Sequence, residues 1–312
     1  MRIIASGTYV PRRRVTAADL DTQLGVAPGT CLARNGVATR YFAASDETAS
    51  MMAAAAIRST GVDVSTLDAI IFTGVMPEQP MPCTAILIHR LLGGRATGTT
   101  CFDVNASCAG FLKVMELAAS GLWHRTAVVS VEIASKGLRW HDLDTCTLFG
   151  DGAAAFIFEH GAEHGEILAT RNVTLSQGAD LCQMRAGGSR FNVVTPPSTF
   201  DDYLFSMQGR SLLRLVQEHF PPFLDELLAL APVKLVVPHQ ASAVGLAFLR
   251  KQLARHGLPA IDILTEFGNQ VSASIPFALH HAIGRGMLQR GDIALLVATA
   301  AGVTMNGIVL RY

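Results

Sequence analysis

Short, near-continuous runs of apolar residues constrain the fold of this 312-residue chain more than any other feature. The runs are the segments 67–74, 126–134, 153–159, 233–239, 292–300 and 307–312. A strand with one solvated face alternates apolar and polar residues, whereas a strand covered on both faces is apolar throughout. The runs therefore predict central strands that are buried on both faces.

Amphipathic helix patterns lie between these runs. They span residues 47–61, 108–123, 211–220 and 244–257, and several end near a glycine, which can terminate a helix. Strands that alternate with helices are typical of βαβ units. The chain is therefore predicted to have a layered α/β architecture.

The order of segments in the first half of the chain is repeated in the second. The segments "LDAIIFTG", "FDVNASCAGFLKVMELAASG", "TAVVSVEI" and "FGDGAAAFIFE" correspond in type to "VKLVVPHQ", "TEFGNQVSASIPFALHHAIGRG", "DIALLVATAAG" and "GIVLRY". We interpret this as an internal duplication with halves at residues 1–163 and 164–312. Cys108 and the turn around Asn269 then fall at equivalent helix starts and are expected to meet across a pseudo-two-fold axis.

Composition and charge argue against several classes of protein. Half of the residues are hydrophobic and 16% are charged, which is typical of a compact globular protein. Lys plus Arg and Asp plus Glu number 25 each, so no global field favours nucleic acid or a membrane surface. The N-terminal residues lack the order of a signal peptide and no run has the length of a membrane span, so we expect a cytoplasmic protein.

The cysteines do not form a recognisable metal or disulfide pattern. They stand at positions 31, 83, 101, 108, 146 and 182, without a C-x-x-C pair or a histidine at metal-ligand spacing. Cys108 differs from the others because it stands at a predicted helix start among small residues. The positive end of a helix dipole favours a thiolate, so we expect a lowered pKa for Cys108. An isolated cysteine in an apolar segment is also commonly an inert core residue.

Two further polar residues stand at the ends of predicted elements. His239 ends the strand "KLVVPHQAS", at the edge where α/β sheets collect functional groups, although it could also be a loop residue. Asn269 in "FGNQVSASIP" could equally cap the following helix. Their placement together with Cys108 favours a catalytic set over three separate structural residues.

Two glycine-containing turns accompany these residues. For "FGDG" at 149–152 we favour a tight turn in which Asp151 makes local hydrogen bonds, over a catalytic carboxylate. For "TAAGVT" at 299–304 a backbone N–H that donates to a developing oxyanion is plausible.

The order Cys108, His239, Asn269 fits two classes of enzyme. Papain-like thiol hydrolases have this order, but their signature places Gly and an aromatic residue beside the cysteine, and "NASCAGF" does not. An internal duplication also has no place in such a protease. The hydrolase is therefore the weaker alternative.

The second class is that of the thiolase-superfamily condensing enzymes. The joint occurrence of "NASCAGF", "VPHQAS" and "FGNQVSASIP" at these separations resembles the β-ketoacyl-acyl-carrier-protein synthases III, and the resemblance extends over nearly the whole chain. It implies an α/β thiolase-like fold, with two pseudo-symmetric βαβαβαββ halves packed in αβαβα layers.

The resemblance also implies roles for the catalytic set. Cys108 accepts an acyl group from a thioester, and a malonyl thioester then loses carbon dioxide and attacks the acyl-enzyme. His239 and Asn269 hydrogen-bond the malonyl thioester carbonyl, and the backbone N–H groups of Cys108 and Ala301 hold the acylation oxyanion. The implied partners are acyl-carrier protein, a small-molecule acyl thioester and a second copy of the chain, with no metal or redox cofactor, no nucleic acid and no membrane.

Several positions that the resemblance assigns to substrate binding depart from the family pattern. Met81 stands where the family often presents a Phe from the partner subunit, and Thr299 and Val303 replace aromatic residues. Smaller or more flexible side chains could admit a primer longer than acetyl. Ser242 replaces the Asn that follows "HQA", which weakens the expected pantetheine contacts.

The expected contacts to coenzyme A are also altered. The family holds the adenine between a Trp and an Arg, and the corresponding residues here are Thr30 and Leu143, although Arg34 is retained. Loss of one aromatic stack costs about 1–3 kcal/mol, by analogy with base stacking. We therefore expect the primer to arrive on a carrier protein or another thioester rather than on coenzyme A.

A basic surface for the acidic carrier protein is expected on the helix at 244–257. If Leu246, Phe248, Leu249 and Leu253 face the core, the opposite face is basic. The residues predicted for this surface are Arg210, Arg214, Arg250, Lys251 and Arg255. An ordinary solvated helix face is the alternative interpretation.

Two other functions stay open at this point. A cysteine acyl-enzyme could deliver its acyl group to a hydroxyl or amine of a small acceptor without decarboxylation. A thiolase-fold protein could also act as a non-catalytic partner.

Overall fold

The computed structural model describes residues 1–94, 98–161, 166–197 and 199–312. Strands up to residue 161 are β1 Arg2–Tyr9, β2 Arg13–Thr16, β3 Thr39–Phe42, β4 Ala69–Thr73, β5 Thr100–Val104, β6 Arg125–Glu132 and β7 Gly152–Glu159. Helices in the same part are α1 Ala17–Leu24, α2 Thr30–Asn35, α3 Ala49–Arg58, α4 Thr84–Leu91, α5 Gly110–Ala118 and α6 Leu143–Cys146.

The rest of the chain continues the alternation of strands and helices. Its strands are β8 Glu166–Thr174, β9 Cys182–Gln183, β10 Ser206–Met207, β11 Leu235–Pro238, β12 Ile293–Ala300 and β13 Thr304–Arg311. Its helices are α7 Gly209–Leu228, α8 Ala243–Ala254, α9 Leu264–Phe267 and α10 Ser274–Gly284.

Two large sheets share one topology. The first has the order β1-β7-β6-β4-β5 and the second the order β8-β13-β12-β11. In each sheet one pair, β4 with β6 or β11 with β12, is parallel, and the next two pairings toward β1 or β8 are antiparallel. In the first sheet β4 also pairs in parallel with β5. A parallel bridge between Val236 and Ala260 stands where the counterpart of β5 would pair.

The predicted pseudo-symmetric α/β fold is therefore confirmed. The proposed boundary between residues 163 and 164 falls in the segment 162–165, outside the described residues.

The core lies in layers around the two sheets. Helices α5 and α10 pack between the sheets, where Phe111 and Phe277 share one cluster with residues of β4, β7, β11 and β12. Helices α3 and α4 cover the outer face of the first sheet. Helices α7 and α8 cover the outer face of the second. This αβαβα arrangement explains why the central strands are apolar on both faces.

The apolar runs form β4, β6, β7, β11, β12 and β13, as predicted. Every residue of β4 is buried, and so is every residue of β11, although β11 lies at the edge of its sheet. The edge strands β1 and β8 were not predicted. Many of their residues are partly exposed, so neither has a continuous apolar run.

Helix ends differ from the prediction in two respects. Helix α7 continues to Leu228, beyond the predicted end at residue 220, although Pro221 and Pro222 lie inside it. Helices α3 and α8 end at Arg58 and Ala254, before the glycines that were expected to cap them. Gly61 and Gly257 follow with φ of 73° and 65°, so they reverse the chain after the helix has ended.

Candidate active site

Cys108 lies in a tight turn between the end of β5 and the start of α5. A short 3-10 helix spans Ser107–Ala109, and Ser107 has a φ of 51°. The backbone N–H of Ser107 donates to Asn105 Oδ1 at 2.9 Å, which holds this uncommon conformation. The turn places Cys108 at the carboxyl end of the central strands, where it keeps partial solvent exposure.

The expected low pKa of Cys108 is wrong. Burial raises the pKa of the Cys108 thiol, and the neighbouring Cys182 and Glu132 raise it further. Hydrogen bonding from the backbone N–H groups of Ala301 and of Cys108 itself acts in the opposite direction. Because desolvation outweighs these donors, the pKa of the Cys108 thiol lies above its ordinary value.

Ala301 follows β12 and begins the turn to β13. Its N–H lies within hydrogen-bonding reach of the Cys108 sulfur. The left-handed conformations of this turn fall on Gly302, with a φ of 81°, and Val303, with a φ of 51°, and not on Ala301. The predicted oxyanion donor Ala301 therefore carries no left-handed backbone strain.

His239 directly follows β11. Its backbone N–H donates to Val297 O at 2.8 Å, which extends the pairing of β11 with β12. The side chain is 7% exposed, and burial lowers its pKa to about 4. The imidazole is therefore neutral near pH 7 and carries one N–H donor. Nδ1 has no hydrogen-bond partner among the described residues.

Asn269 is fixed by bonds from both its backbone and its side chain. Its N–H donates to Leu148 O at 3.0 Å, and its carbonyl accepts from Gly150 N–H at 3.1 Å. Nδ2 donates to Ala241 O at 3.0 Å, in the turn that follows His239. Oδ1 accepts from the backbone N–H of Val271 at 2.8 Å. The side chain thus both holds a turn and links this turn to the His239 segment.

The three predicted catalytic residues are brought together. The Ser107–Ala109 turn packs against the turn at Val271–Ala273 and against β12. The bond from Asn269 to Ala241 joins the second of these turns to the segment that carries His239.

A cavity of about 830 Å³ leads to this set and reaches it at His239. The predicted residues on its wall are Arg34, Arg210, His239, Ser242 and Thr299. Apolar side chains of α7 and α8 supply much of the remaining wall, among them Leu212, Val216, Phe248 and Leu249. An apolar channel with few polar groups suits an extended thioester arm.

Three residues predicted to bind substrate also make contacts within the protein. Arg34 donates through Nε to Asp144, so its charge is already paired at the cavity mouth. Ser242 caps α8 by accepting the N–H of Gly245 at 3.1 Å. Val303 is fully buried and packs in the core under α7, so we revise it from substrate contact to core residue.

Met81 lies on the surface, and its side chain is 84% exposed. It does not line the large cavity, but belongs to the loop beside a smaller cavity of about 250 Å³ near Asn105 and Asp103. The expected contact of Met81 with a primer, across an interface with a second copy of the chain, stays a prediction.

The predicted carrier-protein surface is partly engaged in ion pairs. Arg250 pairs with Asp262 at 2.6 Å, and Arg255 approaches Asp225 at 3.9 Å. Arg210, Arg214 and Lys251 are exposed. The apolar face of α8 is buried at Leu246, Leu249 and Leu253, and Phe248 is half-buried, as predicted.

Sequence reasoning missed Glu132, which is 1% exposed at the end of β6. Its Oε1 accepts the N–H of Val75 at 2.8 Å and that of Ser272 at 3.4 Å. Burial raises the pKa of Glu132 to about 7. A carboxylate that ends an otherwise apolar run was the signal that could have identified it.

Asp151 of "FGDG" has a structural role, but its bonds are not local. It accepts hydrogen bonds from Ala43 N–H at 2.8 Å and from the Ser135 hydroxyl at 2.6 Å. It therefore joins the end of β3 to the segment after β6.

No group of three or more His, Cys, Asp and Glu side chains among the described residues could hold a metal ion. In the same part of the chain, no helix has the length and apolar character needed to cross a membrane.

Comparison with known proteins assigns the family. The model of the 3-oxoacyl-[acyl-carrier-protein] synthase III family matches residues 102–175, and the model of its C-terminal part matches residues 226–312. The chain belongs to this family. It is accordingly an acyl-transferring condensing enzyme with the thiolase fold.

Similar proteins extend over the full chain. The β-ketoacyl-[acyl-carrier-protein] synthase III of Aquifex aeolicus is 32% identical, with 100% of this chain and 99% of the relative covered. The structure of such an enzyme from Thermus thermophilus has a TM-score of 0.86 at 28% identity, covering 100% and 99% of the two chains. The priming β-ketosynthase of a polyketide biosynthetic pathway has a TM-score of 0.84 at 26% identity, covering 99% and 95%.

Proposed function

We propose that this chain condenses an acyl primer, held as a thioester on Cys108, with malonyl-acyl-carrier protein, and so forms a β-ketoacyl thioester. The reaction belongs to fatty-acid or polyketide-type synthesis. The observation that carries the proposal is the packing of the Cys108 turn against the turn that follows Asn269 and against β12, the strand that leads to Ala301.

Acylation begins when the Cys108 sulfur attacks the thioester carbonyl of the primer. The oxyanion that develops is held by the N–H groups of Cys108 and Ala301, the two backbone donors that act to lower the pKa of the Cys108 thiol. The donor thiolate leaves and takes up the proton that the thiol of Cys108 releases. A thioester between the primer and Cys108 results.

Condensation requires charge stabilisation at the malonyl thioester carbonyl. The bond between C2 and the carboxylate breaks, carbon dioxide leaves, and the electron pair forms an enolate. Neutral His239 donates one N–H to the enolate oxygen, and the Asn269 amide donates another. C2 then attacks the acyl carbonyl, and the Cys108 thiolate leaves.

We infer a homodimer in a reducing compartment such as the cytoplasm. Support for the dimer comes from exposed apolar side chains beside the edge strand β5, including Met81 and Ile86. The six cysteines are free thiols, which fits a reducing environment. Sedimentation equilibrium should give twice the chain mass of 33.2 kDa, and a monomer would contradict the dimer.

The function is tested by release of labelled carbon dioxide from carboxyl-labelled malonyl-carrier protein after the enzyme has been acylated. The wild type should release carbon dioxide and form a β-ketoacyl-carrier protein, and Cys108→Ala should not form this product. Acyl transfer to a hydroxyl or amine acceptor without carbon dioxide release would support the acyltransferase alternative instead.

A further inference from the structure

We propose that Asp144 is a specificity-determining residue that disfavours coenzyme A thioesters at the cavity mouth and so favours a primer carried on acyl-carrier protein. The proposal rests on the proposed acylation of Cys108. It assigns a donor preference to a carboxylate that is not among the predicted site residues.

Asp144 lies on the wall of the 830 Å³ cavity beside Arg34. Arg34 Nε donates to Asp144 Oδ1, and both side chains are more than half exposed. Asp142 also interacts with Arg34, and together with Asp144 it raises the pKa of the guanidinium. The cavity wall here therefore carries one guanidinium and one carboxylate, and the second carboxylate, Asp142, acts on Arg34 from outside the wall.

The pair is held in place by the packing of α2 against α6. Asn35, next to Arg34, donates through Nδ2 to Asp144 O at 3.2 Å and to the Thr147 hydroxyl at 2.6 Å. Asp142 Oδ1 accepts the backbone N–H of Asp144 at 3.0 Å. The short helix that carries Asp144 is thus fixed to the end of the helix that carries Arg34.

Only one cation on the wall stays available for a phosphate. Arg34 and Arg210 are the cationic residues among the described residues that line the cavity. Arg210 is exposed and has no ion pair with the described residues, whereas Arg34 is paired. One free guanidinium suits the single phosphodiester of a carrier-protein arm.

Coenzyme A brings more negative charge to the same place, because it carries a diphosphate and a ribose phosphate. A phosphate that approaches Arg34 must compete with Asp144 and is repelled by both carboxylates. The groups are exposed, so the effect is moderate and is screened by salt.

The test uses the same acyl group on coenzyme A and on acyl-carrier protein. For each donor, kcat/KM for acylation of Cys108 is measured from the intact protein mass in single turnovers. Asp144→Asn should raise kcat/KM for the coenzyme A thioester roughly five- to tenfold and should raise kcat/KM for the carrier-protein thioester less. The increase should become smaller as the salt concentration rises. Free coenzyme A should also inhibit Asp144→Asn at lower concentration. Arg210→Gln should lower the carrier-protein value more than the coenzyme A value.

Glu166→Gln is the matched control, because it removes a carboxylate from another exposed ion pair, with Arg311 at 2.6 Å, outside the cavity wall. An Asp144→Asn enzyme with an unchanged ratio of the two kcat/KM values would overturn the proposal and leave the proposed function standing. Failure of both donors to acylate wild-type Cys108 would overturn both.

Discussion

Asn105 and Asn269 hold equivalent turns in the two halves of the molecule. Each accepts through Oδ1 the backbone N–H of the residue two positions later, at 2.9 Å and 2.8 Å. The residues that donate, Ser107 and Val271, have φ of 51° and 48°. The counterpart of Asn269 is therefore Asn105, and the counterpart of Cys108 is Ser272. The first half contributes the cysteine of this repeated turn to the site, and the second half contributes the asparagine.

Substitution of the two asparagines should separate the half-reactions. Asn269→Ala removes a predicted enolate donor, so we expect condensation to slow by roughly 10²-fold or more while acylation stays largely intact. Asn105→Ala loosens the turn that positions the Cys108 sulfur and should slow acylation. Measurements of single-turnover acylation and of steady-state condensation distinguish the two variants. A folded Asn269→Ala enzyme that cannot be acylated would refute the role assigned to Asn269.

Glu132 should make stability depend on pH. Its pKa is raised to about 7 by burial, so the protonated carboxyl favours the folded state. This contribution is full below the unfolded pKa of about 4.5 and is lost as the pH rises through about 7. Relative to Glu132→Gln, the free energy of unfolding of the wild type should fall by up to about 3 kcal/mol across this window.

Urea unfolding of the wild type and of Glu132→Gln at several pH values measures this difference. Glutamine can keep the hydrogen bonds from Val75 and Ser272 through its carbonyl oxygen. Parallel pH profiles for the two proteins would show that Glu132 does not titrate in this range.

Gly150 should tolerate no side chain, because a Cβ there would lie 2.2 Å from the Phe267 carbonyl oxygen and 3.2 Å from Arg40 Cβ. Gly150→Ala should therefore displace the segment that leads to Asn269. We expect a loss of about 1–3 kcal/mol in stability, as for overpacking, and slower condensation. Gly188→Ala is the control, since its Cβ would meet no atom within 4 Å. Equal melting temperatures for the two variants would contradict this account.

Lys251 should contribute more to carrier-protein binding than Arg255. Lys251 is exposed and has no ion pair among the described residues, whereas Arg255 lies near Asp225. Lys251→Glu should raise the KM for malonyl-carrier protein and weaken its salt dependence. Arg290→Glu is the control, because Arg290 lies just before β12 begins. Since β12 runs parallel to β11, Arg290 lies at the opposite end of these strands from His239. Unchanged kinetics in Lys251→Glu would favour an ordinary solvated face.

The central strands, and the place of His239 at the end of one of them, could be predicted because these sequence signals are local. Burial on both faces produces apolar runs, and His239 directly follows such a run. The edge strands β1 and β8 escaped prediction because part of each faces solvent. Their place follows from pairing with β7 and β13, which sequence periodicity does not record.

The electrostatics of the site depended on tertiary packing and could not be inferred in the same way. A helix start suggested a thiolate at Cys108, but burial and the nearby Glu132 raise its pKa. Arg34 was expected to be retained as a coenzyme A contact, but Asp144, which is 110 positions away in the chain, pairs with it. Val303 was expected at the pocket because it replaces an aromatic residue of the family pattern, yet its side chain is buried in the core.

The proposed condensation requires Cys108 to carry the primer as a thioester. Intact-protein mass spectrometry after incubation with a panel of acyl-carrier proteins and acyl-coenzyme A thioesters tests it most directly. We expect the mass of the wild type to increase by one acyl group, and the modification to map to the peptide that contains Cys108. The modification should be absent from Cys108→Ala, and malonyl-carrier protein should discharge it from the wild type. An unmodified wild type, or an acyl group that persists on Cys108→Ala, would contradict it.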